Sequence, residues 1–278
     1  MKEKNTVKRI LKKSFQYSFS FMGALSILIG ILGYSIKDIG DLSWLQRCLV
    51  LLTIYLVVYG TTTVGLCYLK NKSRPYKSVI NGITITIKAD DLFKQKDWKV
   101  IPCDDRYNTQ VDDKIISRSS LHGKMIIQYV SDLEDLEKTI DSASDDSSKL
   151  RPKVTNGKRR KYPLGRLIPY HQWLLLSAAS HLDDENKAVL EIGEYEQMLF
   201  AMWQELRRVY NGKNISIPLI GAGIMTLKGN TEKNYTELLI SMLWTFQRSR
   251  FHPNNGINIV LTKDTMEKID MDLIKEIF

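Results

Sequence analysis

The sequence predicts a two-helix transmembrane hairpin followed by a layered α/β domain, and three observations support this fold class. Two apolar stretches, residues 15–34 and 48–69, contain no charged side chain. The net charge of the whole chain, +9, lies within residues 1–77, which hold 12 Lys and Arg but 3 Asp and Glu. Beyond residue 77, short apolar runs alternate with helical periodicities, which is typical of a sheet covered by helices.

Composition narrows the class of protein. A chain with 44% hydrophobic and 26% charged residues is neither collagen-like nor broadly disordered, and three Cys cannot form a disulfide framework. Residues 78–278 carry no net charge, so we expect no nucleic-acid partner in spite of the basic N-terminal quarter. No pair of Cys or His residues has the spacing of a zinc site, so we expect no bound metal.

Both apolar stretches are long enough to be transmembrane helices, because about 20 residues at 1.5 Å each span a hydrocarbon core of about 30 Å. Basic residues are concentrated on the outer flanks of the pair. They are Lys2, Lys4, Lys8, Arg9, Lys12 and Lys13 before the first stretch, and Lys70, Lys72, Arg74 and Lys77 after the second. The positive-inside rule therefore places both termini in the cytoplasm and the turn at 36–45 outside.

Small residues within the apolar stretches leave two roles open for the hairpin. Ser26 and Gly30 are four residues apart, as are Thr61 and Gly65, and Thr61 begins a run of three Thr. Such pairs allow helices to approach closely, and hydroxyl groups can bridge helices. The hairpin either anchors the chain only or also packs against other copies.

The second domain is predicted to cover residues 78–278, after a linker at 73–75. Alternation of Ile with polar residues predicts its first strand, and four apolar runs predict further strands. Apolar residues three and four apart predict two helices, and a third is expected at the C-terminus. The predicted strands are 83–87, 98–102, 174–179, 215–220 and 257–261, and the predicted helices are 195–209, 238–246 and 264–278. The charged segment 131–161 is expected to begin as a helix and to continue as a mobile loop from about residue 141.

The sharpest local motif is a strand that runs directly into Gly221, Ala222 and Gly223. Glycines let the backbone come close to a ligand, and their N–H groups can point at phosphate oxygens. The motif is not a Rossmann fingerprint, because no third glycine follows, and the chain has no P-loop sequence.

Polar loops follow two other predicted strands. The segment 88–93 follows the strand 83–87, and the loop 104–109 follows the strand 98–102 and leads to 119–124. Ligands of open α/β sheets bind outside the carboxyl ends of the strands. We therefore expect these loops to share one pocket with the glycine motif.

In this order of strands and loops, the sequence resembles a macro domain, the ADP-ribose-binding module. The resemblance covers roughly residues 79–278 and implies a macro-domain-like three-layer α/β/α fold. It implies that Asp91, within A-D-D-L-F, accepts a hydrogen bond from the adenine amino group, and that loops at 119–124 and 221–225 surround the diphosphate and the distal ribose. The ligand-binding residues that it implies are Asp91, Leu92, Asn108, Ser119, Ser120, Leu121, His122, Gly123, Lys124, Gly221, Ala222, Gly223, Ile224 and Met225.

Departures from the family pattern bear on enzyme activity. Macro domains that hydrolyse ADP-ribose conjugates usually carry N-A-A-N and a glycine triplet, whereas this chain has I-P-C-D at 101–104 and then Asn108. We therefore expect no catalytic residues and no cofactor, and an ADP-ribose derivative as the ligand. The alternative is a membrane-anchored hydrolase of ADP-ribose conjugates. His122 is either a ligand contact or a buried structural residue.

The full layout resembles the membrane effectors of bacterial TIR-dependent anti-phage systems of the Thoeris type. That resemblance implies that a TIR enzyme makes an ADP-ribose-derived nucleotide and that this chain senses it at the bacterial inner membrane. It also implies that the chain then forms homo-oligomers and disrupts the membrane lipid.

Overall fold

A computed structural model describes residues 2–32, 43–71, 75–96, 98–145, 147–150, 157–171, 173–229 and 232–278. The chain divides into two compact units, Met1–Ser73 and Arg74–Phe278. The turn predicted at 36–45 lies mostly outside the described residues, as do the end of the first apolar stretch and residues 151–156 of the loop predicted to be mobile.

The first unit consists of two long helices, α1 (Lys2–Ile31) and α2 (Trp44–Asn71). Within them, the segments Ile10–Ile31 and Trp44–Cys67 are long and apolar enough to cross a membrane. Most of the side chains in these segments are exposed. Since an exposed apolar surface of this size is unusual for a protein in water, an apolar environment suits both helices.

The two helices contact each other through a few polar and aromatic side chains. Ser18 Oγ lies 3.3 Å from Thr62 Oγ1, and the Phe15 ring meets Tyr55 edge to face. Thr61 and Thr62 both donate their hydroxyl groups to carbonyl groups of their own helix, and Thr62 Oγ1 is also the atom that Ser18 Oγ approaches. The interhelical contact therefore uses the middle Thr of the run and leaves its neighbour Thr61 on another face of α2.

The second unit is built on a nine-stranded sheet. Its strands, with the short separate pair β4–β5, are β1 (Tyr76–Ile80), β2 (Ile83–Ala89), β3 (Trp98–Asp104), β4 (Lys149–Leu150), β5 (Arg160–Lys161), β6 (Leu167–Tyr170), β7 (Leu174–Leu182), β8 (Ala188–Glu191), β9 (Ile215–Pro218), β10 (Thr226–Lys228) and β11 (Ile257–Leu261). Its helices are α3 (Leu121–Tyr129), α4 (Leu133–Ser142), α5 (Ile192–Val209), α6 (Tyr235–Arg248), α7 (Lys263–Lys268) and α8 (Met271–Ile277).

Five neighbouring strands of the sheet are parallel. The strand order is β1-β2-β11-β9-β3-β7-β8-β10, with β6 also paired to β7. The strands β2, β11, β9, β3 and β7 run in one direction. Strand β1 is antiparallel to β2, strands β6 and β8 are antiparallel to β7, and β10 is parallel to β8. The carboxyl ends of the five parallel strands therefore meet at one edge.

Hydrophobic clusters cover both faces of the sheet. On one face α5 and α6 contribute Met198, Leu199 and Leu239, and on the other α3 and α4 contribute Met125 and Ile140. All five side chains are less than 2% exposed. The unit is a three-layer α/β/α sandwich, which confirms the predicted fold class.

Three local differences from the prediction have physical causes. The unpredicted strand β1 pairs with β2 through a tight turn, because Asn81 and Gly82 both adopt positive φ, 52° and 79°. The C-terminal helix is two helices, since Ile269 is buried and Asp270 caps α8 by accepting from two backbone amides. The loop predicted at 119–124 is the N-terminal cap and first turn of α3.

Candidate ligand-binding site

A cavity of about 660 Å³ lies at the edge where the parallel strands end. Residues that follow β2, β11, β9 and β3 form its wall, together with the end of β7. Twelve of the fourteen predicted ligand-binding residues line it: Asp91, Leu92, Ser119, Ser120, Leu121, His122, Lys124, Gly221, Ala222, Gly223, Ile224 and Met225. The structure thus brings together three segments that are far apart in sequence.

The glycine loop after β9 contains two glycines with different roles. Gly221 has φ of 88°, which L side chains rarely adopt, and an added Cβ would lie 3.2 Å from a Leu238 methyl group. Gly223 has an ordinary φ, and an added Cβ would meet no atom within 4 Å. The fold therefore requires glycine at position 221, whereas at position 223 the absence of a side chain keeps space free in the cavity.

The backbone of this loop presents free donors. Ala222 N–H donates to the Leu219 carbonyl at 3.1 Å, so this amide is used within the turn. Among the described residues, the amides of Gly223 and Ile224 have no acceptor. Tyr195 Oη donates to the Ile220 carbonyl at 2.8 Å and holds the start of the loop.

The N-terminus of α3 forms the second loop of the wall. Ser120 caps the helix: its Oγ accepts from Gly123 N–H at 2.9 Å and donates to the Ser117 carbonyl at 2.7 Å. Gly123 does not line the cavity, and an added Cβ there would overlap the Ser117 carbonyl oxygen. Its role is to let the cap close, which places a helix N-terminus, with its partial positive charge, at the cavity.

Two neighbouring carboxylates at the end of β2 differ in availability. Both oxygens of Asp90 are occupied, by Asp91 N–H at 2.8 Å and by Gln95 Nε2 at 2.8 Å, and Lys88 lies 3.3 Å away. The hydrogen bond from Gln95 is the main cause that lowers the pKa of Asp90. Asp91 caps a short 3₁₀ helix through Oδ1 alone, which accepts from Phe93 N–H. Asp91 is therefore the better placed of the two to accept from a ligand.

Several wall residues are absent from the sequence prediction. Phe93 and Tyr129 stack at 4.6 Å between ring centroids at the Asp91 end of the cavity. Thr262 and Ser180 line the wall where β11 and β7 end. The rule that ligands bind at strand ends points to these two residues, since both predicted strands stop just before them. Phe93 ends the segment 88–93 that is expected at the pocket, whereas Tyr129 carries no comparable sequence signal.

A buried polar group lies at the end of β3. The Asp104 carboxylate accepts from Arg106 N–H at 2.9 Å and from Asn108 Nδ2 at 2.8 Å, yet burial raises its pKa to about 6. Burial lowers the pKa of His122 to about 3, helped by the Lys158 ammonium, so the imidazole is neutral at physiological pH. Both side chains line the cavity.

Asn108 lies behind this wall rather than on it. It is 1% exposed, and its amide both donates to Asp104 and accepts from Lys158 N–H at 2.7 Å. The structure therefore places this predicted residue in the support of the site, outside the cavity lining. Within the described residues, no group of three or more His, Cys, Asp or Glu side chains is arranged to hold a metal ion.

Comparisons with known proteins assign the family. The model of the macro domain of Thoeris protein ThsA matches residues 85–262, which include every predicted ligand-binding residue. Thoeris protein ThsA of Bacillus amyloliquefaciens (strain Y2) is 32% identical over 268 residues, which cover 91% of this chain and 88% of that protein. The chain belongs to the Thoeris ThsA family.

The similarity to the ThsA relative extends beyond the macro domain. Coverage of 91% exceeds what residues 78–278 alone can supply, so the matched region includes part of the N-terminal helices. Among solved structures, the Oceanobacillus iheyensis macrodomain with ADP has a TM-score of 0.48 at 15% identity, covering 73% of this ThsA-family chain and 96% of that chain. A mutant of the same macrodomain with ADPR has a TM-score of 0.47 at 16% identity, covering 73% and 98%.

Proposed function

We propose that the chain is the sensor and membrane effector of a Thoeris-type antiviral defence system, and that its cavity binds an ADP-ribose-derived nucleotide. The observation that carries the proposal is the order of chemical groups along the sheet edge. A carboxylate, Asp91, follows β2; the glycine loop with Gly223 follows β9; and Asp104, beside His122, ends β3.

The sheet sets the distance between the two ends of this series. Three strand spacings separate β2 from β3, through β11 and β9. At 4.7–4.9 Å per spacing, their ends are about 14 Å apart. A ligand that contacts both ends is therefore elongated, with its anionic part in the middle. A base, a diphosphate and a second sugar in series have this order.

The end near β2 suits an adenine base. The Asp91 carboxylate only accepts hydrogen bonds, and the exocyclic amino group of adenine only donates them. Phe93 and Tyr129 add aromatic surface, on which a flat ring packs favourably.

The middle of the series suits a diphosphate. The free amides of Gly223 and Ile224 and the N-terminus of α3 face one cavity. The Lys233 ammonium donates to the Gly223 carbonyl, which places a positive charge against the loop. Each feature favours an anion.

The hydrolase alternative has less support. Asn108 is buried behind the wall, where its amide is hydrogen-bonded to Asp104 and Lys158, so it is not offered to a substrate in the cavity. We therefore propose binding without turnover. Incubation with an ADP-ribosylated peptide tests this point: release of ADP-ribose by the full chain would favour the hydrolase.

The membrane part of the proposal concerns α1 and α2. A groove on α2 is lined by Val57, Gly60, Thr61, Val64 and Gly65. The contact with α1 uses Thr62, so this groove is available to other copies in the lipid. We propose that both termini are in the cytoplasm at the bacterial inner membrane, that a TIR enzyme supplies the nucleotide, and that homo-oligomers disrupt the membrane.

Calorimetric titration of the detergent-solubilised full chain with ADP-ribose tests the sensor. Gly223→Glu puts a negative charge and bulk into the cavity and should abolish binding. Gly193→Glu is the matched control, because Gly193 is exposed in the first turn of α5 with nothing within 4 Å of an added Cβ, and it should bind normally. Asp91→Ala should weaken binding by about 1–3 kcal/mol. Unchanged affinity in Gly223→Glu would show that the nucleotide binds elsewhere.

A further inference from the structure

The contact between α1 and α2 is polar, although the exposed surfaces of both helices suit lipid. Ser14 and Ser18 are completely buried and lie one turn apart, on the face of α1 that meets α2. Thr62 meets this face through Ser18, and Tyr55 meets it through the ring of Phe15. We call the four hydroxyl-bearing residues Ser14, Ser18, Tyr55 and Thr62 the hydroxyl seam.

The two hydroxyl groups that meet at the centre of the seam do not form a good hydrogen bond. Ser18 Oγ lies 3.3 Å from Thr62 Oγ1, whereas hydrogen bonds between two oxygens span about 2.5–3.0 Å. A hydroxyl group has one proton, and both protons are used within their own helices. Ser18 donates to the Ser14 carbonyl, and Thr62 donates to the Val58 carbonyl at 2.9 Å. The two oxygens therefore face each other as acceptors that lack a donor.

Two further hydroxyl groups of the seam have no partner. Among the described residues, Ser14 Oγ and Tyr55 Oη are buried and make no hydrogen bond. The lipid-facing Thr53 differs, because its hydroxyl donates to the Leu49 carbonyl of its own helix at 2.8 Å. Hydrocarbon offers no hydrogen-bond partner, so a hydroxyl that faces lipid is expected to be satisfied within its helix. The unpaired hydroxyl groups thus indicate a polar partner that enters the seam.

We propose that the hydroxyl seam lines a water-filled path through the membrane when copies of the hairpin assemble. Water both donates and accepts hydrogen bonds, so it suits the unpaired hydroxyl groups of Ser14 and Tyr55 as well as the vacant acceptors of Ser18 and Thr62. This inference rests on the proposed function and deepens it, because it names the surface of the hairpin that conducts.

The other face of α2 is suited to packing rather than to water. Thr61 lies on that face, in the groove proposed to receive another copy, and its hydroxyl donates to the Val57 carbonyl at 3.0 Å. Since consecutive helical residues are about 100° apart, Thr61 and Thr62 point to different sides of α2. A helix in the wall of a path needs this division, with one face against its neighbours and another toward the water.

The absence of charge in the apolar stretches agrees with a path that is closed until copies assemble. Residues 15–34 and 48–69 contain no charged side chain. A charge buried between two helices in lipid would cost far more than a hydroxyl group. Hydroxyl groups therefore let the same surface be dry in the single hairpin and wet in the assembly.

Cysteine reactivity of the full chain in dye-loaded liposomes tests the path. Cys48→Ser and Cys67→Ser first remove the two exposed thiols of α2. In this background, Ser18→Cys should react with a charged methanethiosulfonate about tenfold faster with ADP-ribose than without it, because thiolate forms poorly away from water. The attached charged group should then reduce dye leakage. Thr53→Cys, which faces lipid, is the control and should react slowly under both conditions.

Ser14→Ala gives an independent measurement that needs no labelling. It removes an unpaired buried hydroxyl group from the closed hairpin and should favour that form. The ADP-ribose concentration for half-maximal leakage should therefore rise about fivefold or more. Thr53→Ala is the matched control and should leak like wild type.

The outcomes separate this inference from the proposed function. If wild-type liposomes leak while Ser18→Cys stays unreactive, or if Ser14→Ala and Thr53→Ala respond equally, the hydroxyl seam is overturned and the proposed function stands. If wild-type liposomes do not leak on addition of ADP-ribose, the membrane part of the proposed function is overturned together with this inference.

Discussion

Substitutions of Asp104 and of His122 should change the pH dependence of unfolding in opposite directions, because burial raises the pKa of Asp104 and lowers that of His122. The pKa of Asp104 is raised from 3.8 to about 6, and that of His122 is lowered from 6.5 to about 3. Between about pH 4 and pH 6, the folded pair therefore holds one proton on Asp104, and the unfolded pair holds one on His122. Equal proton binding means that the wild-type pair adds no slope to the stability in this range.

His122→Gln should remove this compensation. The pKa of Asp104 is higher in the folded chain than in the unfolded chain. The carboxyl group therefore contributes fully to the free energy of unfolding below pH 3.8, and this contribution is lost as the pH rises through about 6. The rise of this pKa from 3.8 to about 6 corresponds to roughly 3 kcal/mol of unfolding free energy, at 1.36 kcal/mol per pKa unit. For a domain of about 200 residues, that is a relative fall in melting temperature of about 6–12 °C. The raised pKa should survive the substitution, because burial and then the Asp105 charge raise it, and His122 is not among its main causes.

Asp104→Asn should give the opposite slope. The folded-state pKa of His122 lies below its unfolded value, so its contribution is present above pH 6.5 and is lost as the pH falls toward 3. The assay is thermal unfolding of the full chain in detergent at pH 4 to 7, read as the difference from wild type. His252→Gln, at an exposed position, is the control and should follow wild type. Curves for His122→Gln and Asp104→Asn that run parallel to wild type would refute the opposed pKa shifts.

Three further predictions address the glycine loop, the topology and the hairpin. Gly221→Ala should lower the melting temperature, because φ of 88° costs an L residue about 1–2 kcal/mol. Gly223→Ala is the control and should unfold like wild type. Equal melting temperatures for the two variants would contradict this prediction. A cysteine at Asp38 should react with an impermeant reagent outside intact cells and one at Ser73 should not; the reverse pattern would place the termini outside. Gly65→Leu fills the groove on α2, so it should reduce dye leakage from liposomes while leaving nucleotide affinity unchanged. Full leakage in that variant would exclude the groove from assembly.

The parts of the fold that follow a local pattern could be predicted from the sequence. The strand at 257–261 is found as predicted, and β2 and β3 extend their predicted runs by two residues each. Twelve predicted residues share one cavity because parallel strands end at a common edge, a rule that needs only the element order. The short edge strands β1 and β10 are not predicted, because five and three residues are too few for a pattern to stand out in the sequence, although burial alternates along β1.

The depth of a residue in the wall could not be predicted from the sequence. Asn108 and Asp104 lie in the same loop region, yet Asp104 faces the cavity and Asn108 supports it from behind. That difference depends on Lys158, which is 50 residues away in sequence. Local patterns also give no sign that His122 has no hydrogen-bond partner among the described residues, because the pairing of a buried group depends on the packed fold.

The proposed coupling between ligand binding in the cavity and assembly has a thermodynamic requirement. A ligand can drive assembly only by binding the assembled form more tightly, and a shift from 1:99 to 99:1 needs about 5.5 kcal/mol of differential affinity. Residues of a single chain already form the cavity wall. We therefore expect the difference in affinity between the assembled and the free form to arise where this wall reaches the surface. Ile224 meets that condition: it lines the cavity, its amide is free, and 63% of its surface is exposed. A phosphate held by this loop would fix an exposed apolar side chain in one position, and every copy would present the same side chain to its neighbours, as symmetric self-association requires.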